Sequence, residues 1–267
     1  MAALWLQQGV TYGPVLSRRL GRSLGVNLLP DDYKLCSFDC VYCQYGRTGV
    51  KALFPEAHRF RDKEWVLRAV EIGLLMHGPD IDTITFSGNG EPTLHPDFPS
   101  IVSCVRDLRD RLCPDVRLTI FSNSTTAHLP HIREALALFD APIMKLDAGD
   151  PATLARVNRP DPAVKLEQIV EGLKEIPGLT TQSVLIDGPV TNVQGPAFEA
   201  WLTALSEIRP TRAQIYSTDR PTADPGVKRV RPTELERIAR ALERHTEIQV
   251  DAYWAHSPLP PRERGRG

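Results

Sequence analysis

The sequence predicts an α/β fold, namely an open, partial (βα)6 TIM-like barrel with short N- and C-terminal extensions. Three observations support this prediction. Short β-branched runs alternate with longer amphipathic runs, the alternation repeats six times, and a polar loop follows each predicted strand. A chain of 267 residues can form one large domain, and α/β barrels often reach this size as a single unit.

The predicted strands are short and rich in Val, Ile and Thr. They span residues 23–29, 81–87, 116–122, 142–147, 181–187 and 213–218. The predicted helices repeat apolar residues at helical spacing, as Val66, Val70 and Leu74 do, and several begin with proline. They span residues 62–77, 97–112, 130–139, 163–176, 196–208 and 232–245. The run IQVDAYW, residues 248–254, is predicted to add an edge strand.

The alternation of strands and helices indicates a parallel sheet with helices outside it, because parallel strands need long crossover connections. Right-handed crossovers permit either a doubly wound sheet or a barrel. Six units are too few for a closed barrel of eight, so an open partial barrel is the preferred prediction. We assign residues 1–250 to this barrel domain. Residues 251–267 are predicted to be a proline- and arginine-rich extension that is disordered at its end.

The composition argues against a membrane or secreted protein. No run approaches eighteen apolar residues, and the N-terminus lacks the basic and apolar pattern of a signal peptide. We therefore expect a cytoplasmic protein with reduced cysteines and no membrane contact. The net charge is -1, with 32 basic and 33 acidic residues, so overall charge gives no argument for a nucleic-acid partner.

The loops after the strands are the most informative segments. In an all-parallel sheet they emerge at one face, where such enzymes place their chemistry. The first loop contains three of the five cysteines, Cys36, Cys40 and Cys43, and the second reads GNGEPT, residues 88–93. The later loops read NSTT, AGD, DGPVTN and TDRPT. We therefore expect the active site at this face.

The spacing Cys-x3-Cys-x2-Cys at Cys36, Cys40 and Cys43 has four explanations. A disulfide framework suits neither a reducing compartment nor a chain of this size. A zinc site needs a fourth ligand, for which His58 is a candidate, and a redox pair at Cys40 and Cys43 leaves Cys36 unexplained. Clustered thiolates also suit an iron–sulfur cluster, and three ligands on four irons leave one iron open for chemistry. The cluster is the preferred interpretation, with zinc as the alternative.

The motif CSFDCVYC, residues 36–43, resembles the hallmark of the radical S-adenosylmethionine (radical SAM) superfamily, Cys-x3-Cys-x-aromatic-Cys, with Tyr42 as the aromatic residue. The segment GNGEPT resembles that superfamily's Gly-Gly-Glu motif. The leader YGPVLSRRLGRSLGVNLLP and the run GNGEPTLHP look more specifically like the iron–sulfur oxidoreductases related to wyosine-base (tRNA imidazoguanosine) synthases, over residues 12–220. Those synthases use a second cluster bound by upstream cysteines, whereas this chain has no cysteine before Cys36.

This resemblance implies that Cys36, Cys40 and Cys43 hold a [4Fe–4S] cluster and that S-adenosylmethionine (SAM) chelates its fourth iron. The reduced cluster would then cleave SAM to methionine and a 5′-deoxyadenosyl radical, which abstracts hydrogen from a substrate. An external electron donor of the flavodoxin or ferredoxin type is also implied.

The resemblance and the positions at strand ends also indicate which residues bind SAM. These residues are Tyr42, Gly88, Gly90, Glu91, Ser122, Asn123, Lys145 and Asp147. Glu91 is expected to meet the methionine amino group, with a helix N-terminal role as its alternative. Lys145 and Asp147 alternate on a strand and point the same way, so they either hold the cofactor or form a structural ion pair. Arg18 and Arg19 are candidates for a substrate carboxylate or phosphate.

Three other residues receive different expectations. His95 is as good a candidate for a capping residue as for a catalyst, and Cys104 and Cys113 are expected to be a buried and an inert thiol. We predict a radical SAM iron–sulfur oxidoreductase with tRNA or a nucleoside as its candidate substrate. The alternatives are a glycyl-radical-type activase acting on a partner protein and a non-catalytic module that binds zinc or a cluster.

Overall fold

The computed structural model describes residues 4–56 and 59–255. Within them, twelve strands, β1 to β12, span Thr11–Ser17, Gly21–Val26, Leu35–Cys36, Val50–Lys51, Thr83–Phe86, Arg117–Ser122, Ala141–Lys145, Thr180–Val184, Ile186–Asp187, Arg212–Tyr216, Lys228–Arg229 and Gln249–Tyr253. Seven α-helices in the same ranges, α1 to α7, span Lys63–His77, Phe98–Leu112, Pro130–Leu136, Pro151–Val157, Leu166–Lys174, Gly195–Ile208 and Pro232–Thr246. None of these helices is long and apolar enough to cross a membrane. His58 and the end of the predicted C-terminal extension lie outside the described residues.

Eight of the strands form one sheet in the order β1–β2–β5–β6–β7–β8–β10–β12. Every neighbouring pair from β2 to β12 is parallel, and β1 runs antiparallel to β2. The predicted α/β fold with an open, partial barrel is confirmed. The six predicted strands correspond to β2, β5, β6, β7, β8 and β10, and the predicted edge strand is β12. Because β12 continues to Tyr253, the sheet runs past residue 250.

Strand β1 and helix α4 are among the elements that were not predicted. The edge strand β1 contains Gly13 and Pro14, a pair that normally indicates a turn, and its register shifts between Tyr12 and Val15. Proline is tolerated there because an edge strand has one unpaired side. Helix α4 has only seven residues, too few to show a helical repeat. It is started by Asp150, whose side chain accepts a hydrogen bond from the Thr153 N–H at 2.8 Å.

The helices cover the outer face of the sheet and form the apolar core with it. Phe86 of β5 packs edge-on against Phe98 of α2 and Phe139, with ring centroids 6.3 and 5.4 Å apart. Trp201 of α6 is fully buried against β8, and its indole N–H donates to Leu146 O at 3.1 Å and to Ser183 Oγ at 3.0 Å. The outward residues of the strands therefore anchor the helices.

The inner face of the sheet is unusually polar for a buried surface. Ser23 Oγ and Thr85 Oγ1 lie 2.6 Å apart, and Gln182 Nε2 donates to Gln214 Oε1 at 3.1 Å. All four residues are buried. Buried polar groups stay paired because an unpaired one is costly, so these bonds allow a polar interior to exist.

The turn between β1 and β2 joins the first part of the sheet to its far edge. Arg18 donates from Nη2 to Asp219 Oδ2 at 3.2 Å, after β10, and from Nη1 to the carbonyl of Trp254, after β12. The Arg18 side chain therefore links the hairpin that carries one edge strand, β1, to the other edge strand, β12.

We expect Trp201→Ala to lower the free energy of unfolding by about 3–5 kcal/mol, because it removes a large, fully buried ring together with its two hydrogen bonds. Urea-induced unfolding followed by circular dichroism measures this change. The matched control is Trp65→Ala on α1, whose side chain is 59% exposed and whose loss should change stability by less than about 0.5 kcal/mol. Equal effects of the two substitutions would contradict the described packing.

Candidate functional site

The segment between β2 and α1 carries the three clustered cysteines, and backbone hydrogen bonds hold it on two sides. On one side, Leu35 N donates to Asn89 O at 3.0 Å and Glu91 N donates to Leu35 O at 3.2 Å. The segment therefore pairs with the loop that follows β5, at an isolated bridge between Leu35 and Gly90. On the other side, Val41 N donates to Val157 O at the end of α4, at 2.9 Å.

The two glycines of GNGEPT make this pairing possible. A Cβ on Gly90 would lie 1.6 Å from Leu35 O, and a Cβ on Gly88 would lie 2.5 Å from Asn27 Oδ1. Their φ angles, +148° and +139°, are also ones that other residues rarely adopt. Gly90 is thus required for the two backbones to approach, and Gly88 leaves room for the Asn27 side chain beside this loop.

The cysteines themselves are free thiols in a buried, polar setting. Cys36 and Cys40 are buried, and Cys43 is half-buried. Burial raises the pKa of Cys36 to about 12 and that of Cys40 to about 11. Side-chain amides point at two sulfurs, since Asn123 Nδ2 lies 3.5 Å from Cys36 Sγ and Asn158 Nδ2 lies 3.4 Å from Cys40 Sγ. Such N–H donors stabilise a thiolate once a metal has displaced its proton.

Lys34 adds a buried positive charge beside these sulfurs. Its side chain is 4% exposed, and Nζ donates to Gly46 O at 3.0 Å. Burial opposes the charge, yet the neighbouring Cys43, Cys36 and Cys40 raise the pKa of Lys34 above its ordinary value. The ammonium therefore remains charged near all three cysteines.

The cysteines do not form a site for a single ion. Among the described residues, no three His, Cys, Asp or Glu side chains converge closely enough to hold one metal. A tetrahedral zinc at about 2.3 Å from each sulfur would bring the sulfurs within about 3.8 Å of one another. A cluster of several irons, in contrast, spreads its ligands over separate metal atoms. The described donor set of three soft thiolates fits a cluster, while His58, the candidate fourth ligand for zinc, lies outside the described residues.

Glu91 is the centre of a buried network at the rim of the sheet. Its side chain is 1% exposed and caps the short 3₁₀ helix Pro92–Leu94. Oε1 accepts from Thr93 Oγ1 at 2.6 Å and Ser122 Oγ at 2.9 Å, and Oε2 accepts from Asn123 N at 2.5 Å. Burial raises the pKa of Glu91, although these donors partly offset it. The helix N-terminal role expected as the alternative is thus present, and the carboxylate fixes the end of β6.

A second network surrounds Asp147, just after β7. Asp147 Oδ2 accepts from Tyr42 OH and from Asn158 Nδ2, the latter at 2.7 Å, and Oδ1 accepts from Val184 N at 2.7 Å. Lys145 Nζ lies 3.7 Å from Asp147 Oδ1 and 4.9 Å from the centre of the Tyr42 ring. Burial alone would lower the pKa of Lys145, but Asp147 raises it above its ordinary value. The expected ion pair between Lys145 and Asp147 is therefore present.

Two polar atoms of this network lack hydrogen-bond partners. Lys145 Nζ and Asn158 Oδ1 are buried and make no hydrogen bond, although the ammonium keeps its ion pair with Asp147. They border a cavity of about 10 Å³, room for about one water molecule, that Phe38, Asn123 and Asp147 also line. A buried polar group without a hydrogen bond is unfavourable by roughly 1–3 kcal/mol. An anionic group beside Lys145 and a hydroxyl or amino group beside Asn158 would complete the missing bonds.

The structure brings together all the side chains predicted for the cofactor site, at the carboxyl ends of β2, β5, β6 and β7. Sequence reasoning missed Lys34 and Asn158. Lys34 stands two residues before the first cysteine, but its charge alone did not distinguish it. Asn158 follows the unpredicted helix α4, so nothing in the sequence pattern placed it near the cysteines.

Three other predicted residues lie elsewhere. His95 is buried, its Nδ1 accepts from Asp97 N at 3.1 Å and its Nε2 lies 2.9 Å from Arg61 O, so it has the capping role. The expectation that Cys104 is buried is wrong, because α2 turns other residues toward the sheet and leaves this thiol partly exposed. Cys113 ends α2, and burial raises its pKa.

Comparison with known proteins gives consistent matches. A sequence model of the Radical SAM superfamily matches residues 32–192. UPF0026 protein MJ1312 of Methanocaldococcus jannaschii is 32% identical over 245 residues, which cover 90% of this chain and 72% of the relative.

Solved structures share the fold at low sequence identity. The structure titled TYW1 with a lysine-pyruvate adduct bound aligns with a TM-score of 0.58 at 15% identity, covering 84% of this chain and 73% of that one. SuiB of Streptococcus suis bound to S-adenosylmethionine aligns with a TM-score of 0.60 at 14% identity, covering 87% of this chain. The chain spans 51% of the SuiB chain.

We expect iodoacetamide at pH 8 to alkylate Cys43 at least about tenfold faster than Cys36 or Cys40 in metal-free protein. The half-buried Cys43 is accessible, whereas a pKa of about 12 for Cys36 and about 11 for Cys40 keeps both as unreactive, buried thiols at this pH. Tandem mass spectrometry of the peptide that contains all three residues measures the order of modification. The partly exposed Cys104 gives the rate of a thiol outside the site. Equal rates at the three clustered cysteines would contradict their described burial.

Proposed function

The chain belongs to the radical SAM superfamily, and on that premise we propose that Cys36, Cys40 and Cys43 hold its [4Fe–4S] cluster while the buried polar side chains beside them contact SAM. The observation that carries the proposal is the placement of three free cysteines next to Asn123 and Asn158, with Lys145 Nζ and Asn158 Oδ1 buried nearby and without a hydrogen bond. When bound, the two cofactors supply a one-electron reductive cleavage of SAM that leads to hydrogen abstraction from a substrate.

The protein's first contribution is to prepare three thiolates. Burial holds Cys36 and Cys40 as thiols until a metal displaces their protons. Asn123 and Asn158 then donate to the sulfurs of Cys36 and Cys40, which fixes the orientation of both ligands.

Lys34 contributes charge. A cluster with three thiolate ligands carries net negative charge, and reduction adds one more electron. The buried ammonium of Lys34 stabilises the reduced form more than the oxidised form because its attraction grows with that charge. We infer that Lys34 helps an external electron donor, of the flavodoxin or ferredoxin type, to reduce the cluster.

Lys145 and Asn158 are the proposed SAM contacts beside the cysteine segment. Lys145 Nζ can donate to the SAM carboxylate, and Asn158 Oδ1 can accept from a ribose hydroxyl or from the amino group. Asp147 keeps Lys145 charged, and Tyr42 and Asn158 keep Asp147 in place. Burial of the whole group excludes water from the reacting atoms.

The loops after β5 and β6 complete the proposed cofactor site. Glu91 accepts from Ser122 Oγ and Asn123 N, so its carboxylate positions this rim. We propose that the backbone of the loop around Gly88 and Gly90, which Leu35 and Asn27 hold in place, meets the methionine end of SAM.

For the substrate, we propose RNA or a nucleoside, in line with the sequence resemblance to the wyosine-related branch. The shared fold with TYW1 is compatible with this proposal but carries no information on the substrate.

The test is anaerobic reconstitution with iron and sulfide, reduction with dithionite, addition of SAM and chromatographic measurement of 5′-deoxyadenosine and methionine. We expect cleavage by the wild-type protein and a loss of at least about 100-fold in Cys40→Ser, since one ligand of the cluster is removed.

Cys104→Ser is the matched control, because it removes a cysteine outside the site and should leave cluster content and cleavage unchanged. Full cleavage by Cys40→Ser would refute the ligand assignment. A folded wild-type protein that binds zinc and cleaves no SAM would instead support the non-catalytic module.

A further inference from the structure

Arg19 projects a positive charge into the barrel from the turn between β1 and β2. Its guanidinium carbon lies 4.6 Å from the centre of the Tyr216 ring and 5.3 Å from that of Phe121. Tyr216 ends β10, and Phe121 is the next-to-last residue of β6. Register places both rings on the inner face of the sheet, near the carboxyl ends of the strands, on the same side as Lys145. The planar cation is held over two aromatic faces, which is the usual geometry of a cation–π contact.

Arg19 differs from its neighbours on the same hairpin in having no acidic partner. Arg18 pairs with Asp219 at 3.2 Å, and Arg22 pairs with Asp80 at 3.6 Å. Within the described part of the chain, the Arg19 guanidinium contacts aromatic rings but donates to no carboxylate or carbonyl. Its five N–H donors are therefore available to a ligand.

The carboxylates on the inner face are already engaged. Asp147 accepts from three donors and pairs with Lys145, and Asp251 pairs with Arg212 at 2.8 Å. Neither is available to neutralise Arg19.

A second cation lies close to Arg19. Lys145 Nζ is 5.7 Å from the centre of the same Tyr216 ring, so this ring contacts both positive charges. The two cations repel each other. The proposed function assigns Lys145 to the carboxylate of SAM, and Arg19 then remains the unmatched charge in the barrel. An anion bound there would remove the imbalance.

We propose that Arg19, stacked on Tyr216 and Phe121, forms a subsite for an oxyanion group of the substrate, either a carboxylate or a phosphate. This inference rests on the proposed function, since it places the subsite one aromatic ring away from the cofactor cavity. Arginine suits the role because its planar guanidinium can donate to both oxygens of such a group. The two aromatic rings fix the plane of that guanidinium. The flat apolar faces beside it also suit a substrate with a planar portion next to its anionic group.

The test follows the Arg19 side chain directly by NMR. Full-length protein with the oxidised cluster and with ¹³C,¹⁵N-labelled arginine is titrated with inorganic phosphate, and in a separate series with acetate, at constant ionic strength. The Arg19 signal is identified by its loss in Arg19→Lys. We expect a saturable shift of that signal with at least one of the two anions, and the tighter one shows which group the substrate carries.

Two variants and one control complete the test. Both Arg19 variants lack the Arg19 signal, so their anion binding, and that of the wild type and the control, is also measured by isothermal titration calorimetry. Arg19→Lys keeps the charge but loses the planar guanidinium, and we expect at least fivefold weaker binding. Arg19→Met removes the charge and should abolish saturable binding. Arg22→Met is the matched control, because Arg22 lies on the same hairpin outside the barrel and pairs with Asp80, so anion binding should match that of the wild type.

The proposal is overturned if neither anion moves the wild-type Arg19 signal, or if Arg19→Lys and Arg19→Met bind as tightly as the wild type. The wild-type signal decides the matter even if Arg19→Met fails to fold. If the Arg19 signal does not shift with either anion in protein that cleaves SAM, the subsite is refuted and the proposed function is not. A responsive Arg19 in protein that cannot cleave SAM would refute the proposed function and retain an anion site.

Discussion

The pairing of Leu35 with the loop around Gly90 is the constraint on which the rest of the site depends. Leu35 lies between Asn89 and Glu91 and bonds to both through its backbone. The absence of a side chain at Gly90 allows the approach, since a Cβ would lie 1.6 Å from Leu35 O. Cys36 is the next residue, so this contact sets where the cysteine segment begins relative to the sheet. The remaining ligands follow within one short, turned segment that α4 holds from the other side.

A chain of buried polar contacts connects this segment to the sheet. Asn123 bonds to Cys36 and is itself positioned by Glu91, while Asn158 bonds to Cys40 and to Asp147. Buried networks of this kind are stable only when nearly all their groups are paired. Lys145 Nζ and Asn158 Oδ1, which make no hydrogen bond, therefore mark a place in this network where a ligand could bind. The same reasoning distinguishes Arg19 from the paired arginines on its hairpin.

The alternating strands and helices of the sheet could be predicted from the sequence. β-Branched runs and amphipathic helices identified six strands and six helices, and the parallel arrangement then placed their loops at one face. The prediction missed β1, because Gly13 and Pro14 normally indicate a turn, and it missed α4, because seven residues are too few to show a helical repeat. In the site, the cysteines and the glycines could be predicted because each set has a specific spacing in the sequence. Lys34 and Asn158 were missed because their roles arise from three-dimensional contacts that no spacing records. The role of Glu91 stayed open for the same reason, because its four donors come from two separate loops.

The central claim is that three thiolates from one segment leave an open iron beside the cavity that contains Lys145. Electron paramagnetic resonance of the reduced, reconstituted protein, recorded with and without SAM, tests this claim most directly. Because an open iron can bind SAM, we predict that adding SAM changes the signal of the reduced cluster in the wild-type protein. A cluster signal that is identical with and without saturating SAM would contradict the account.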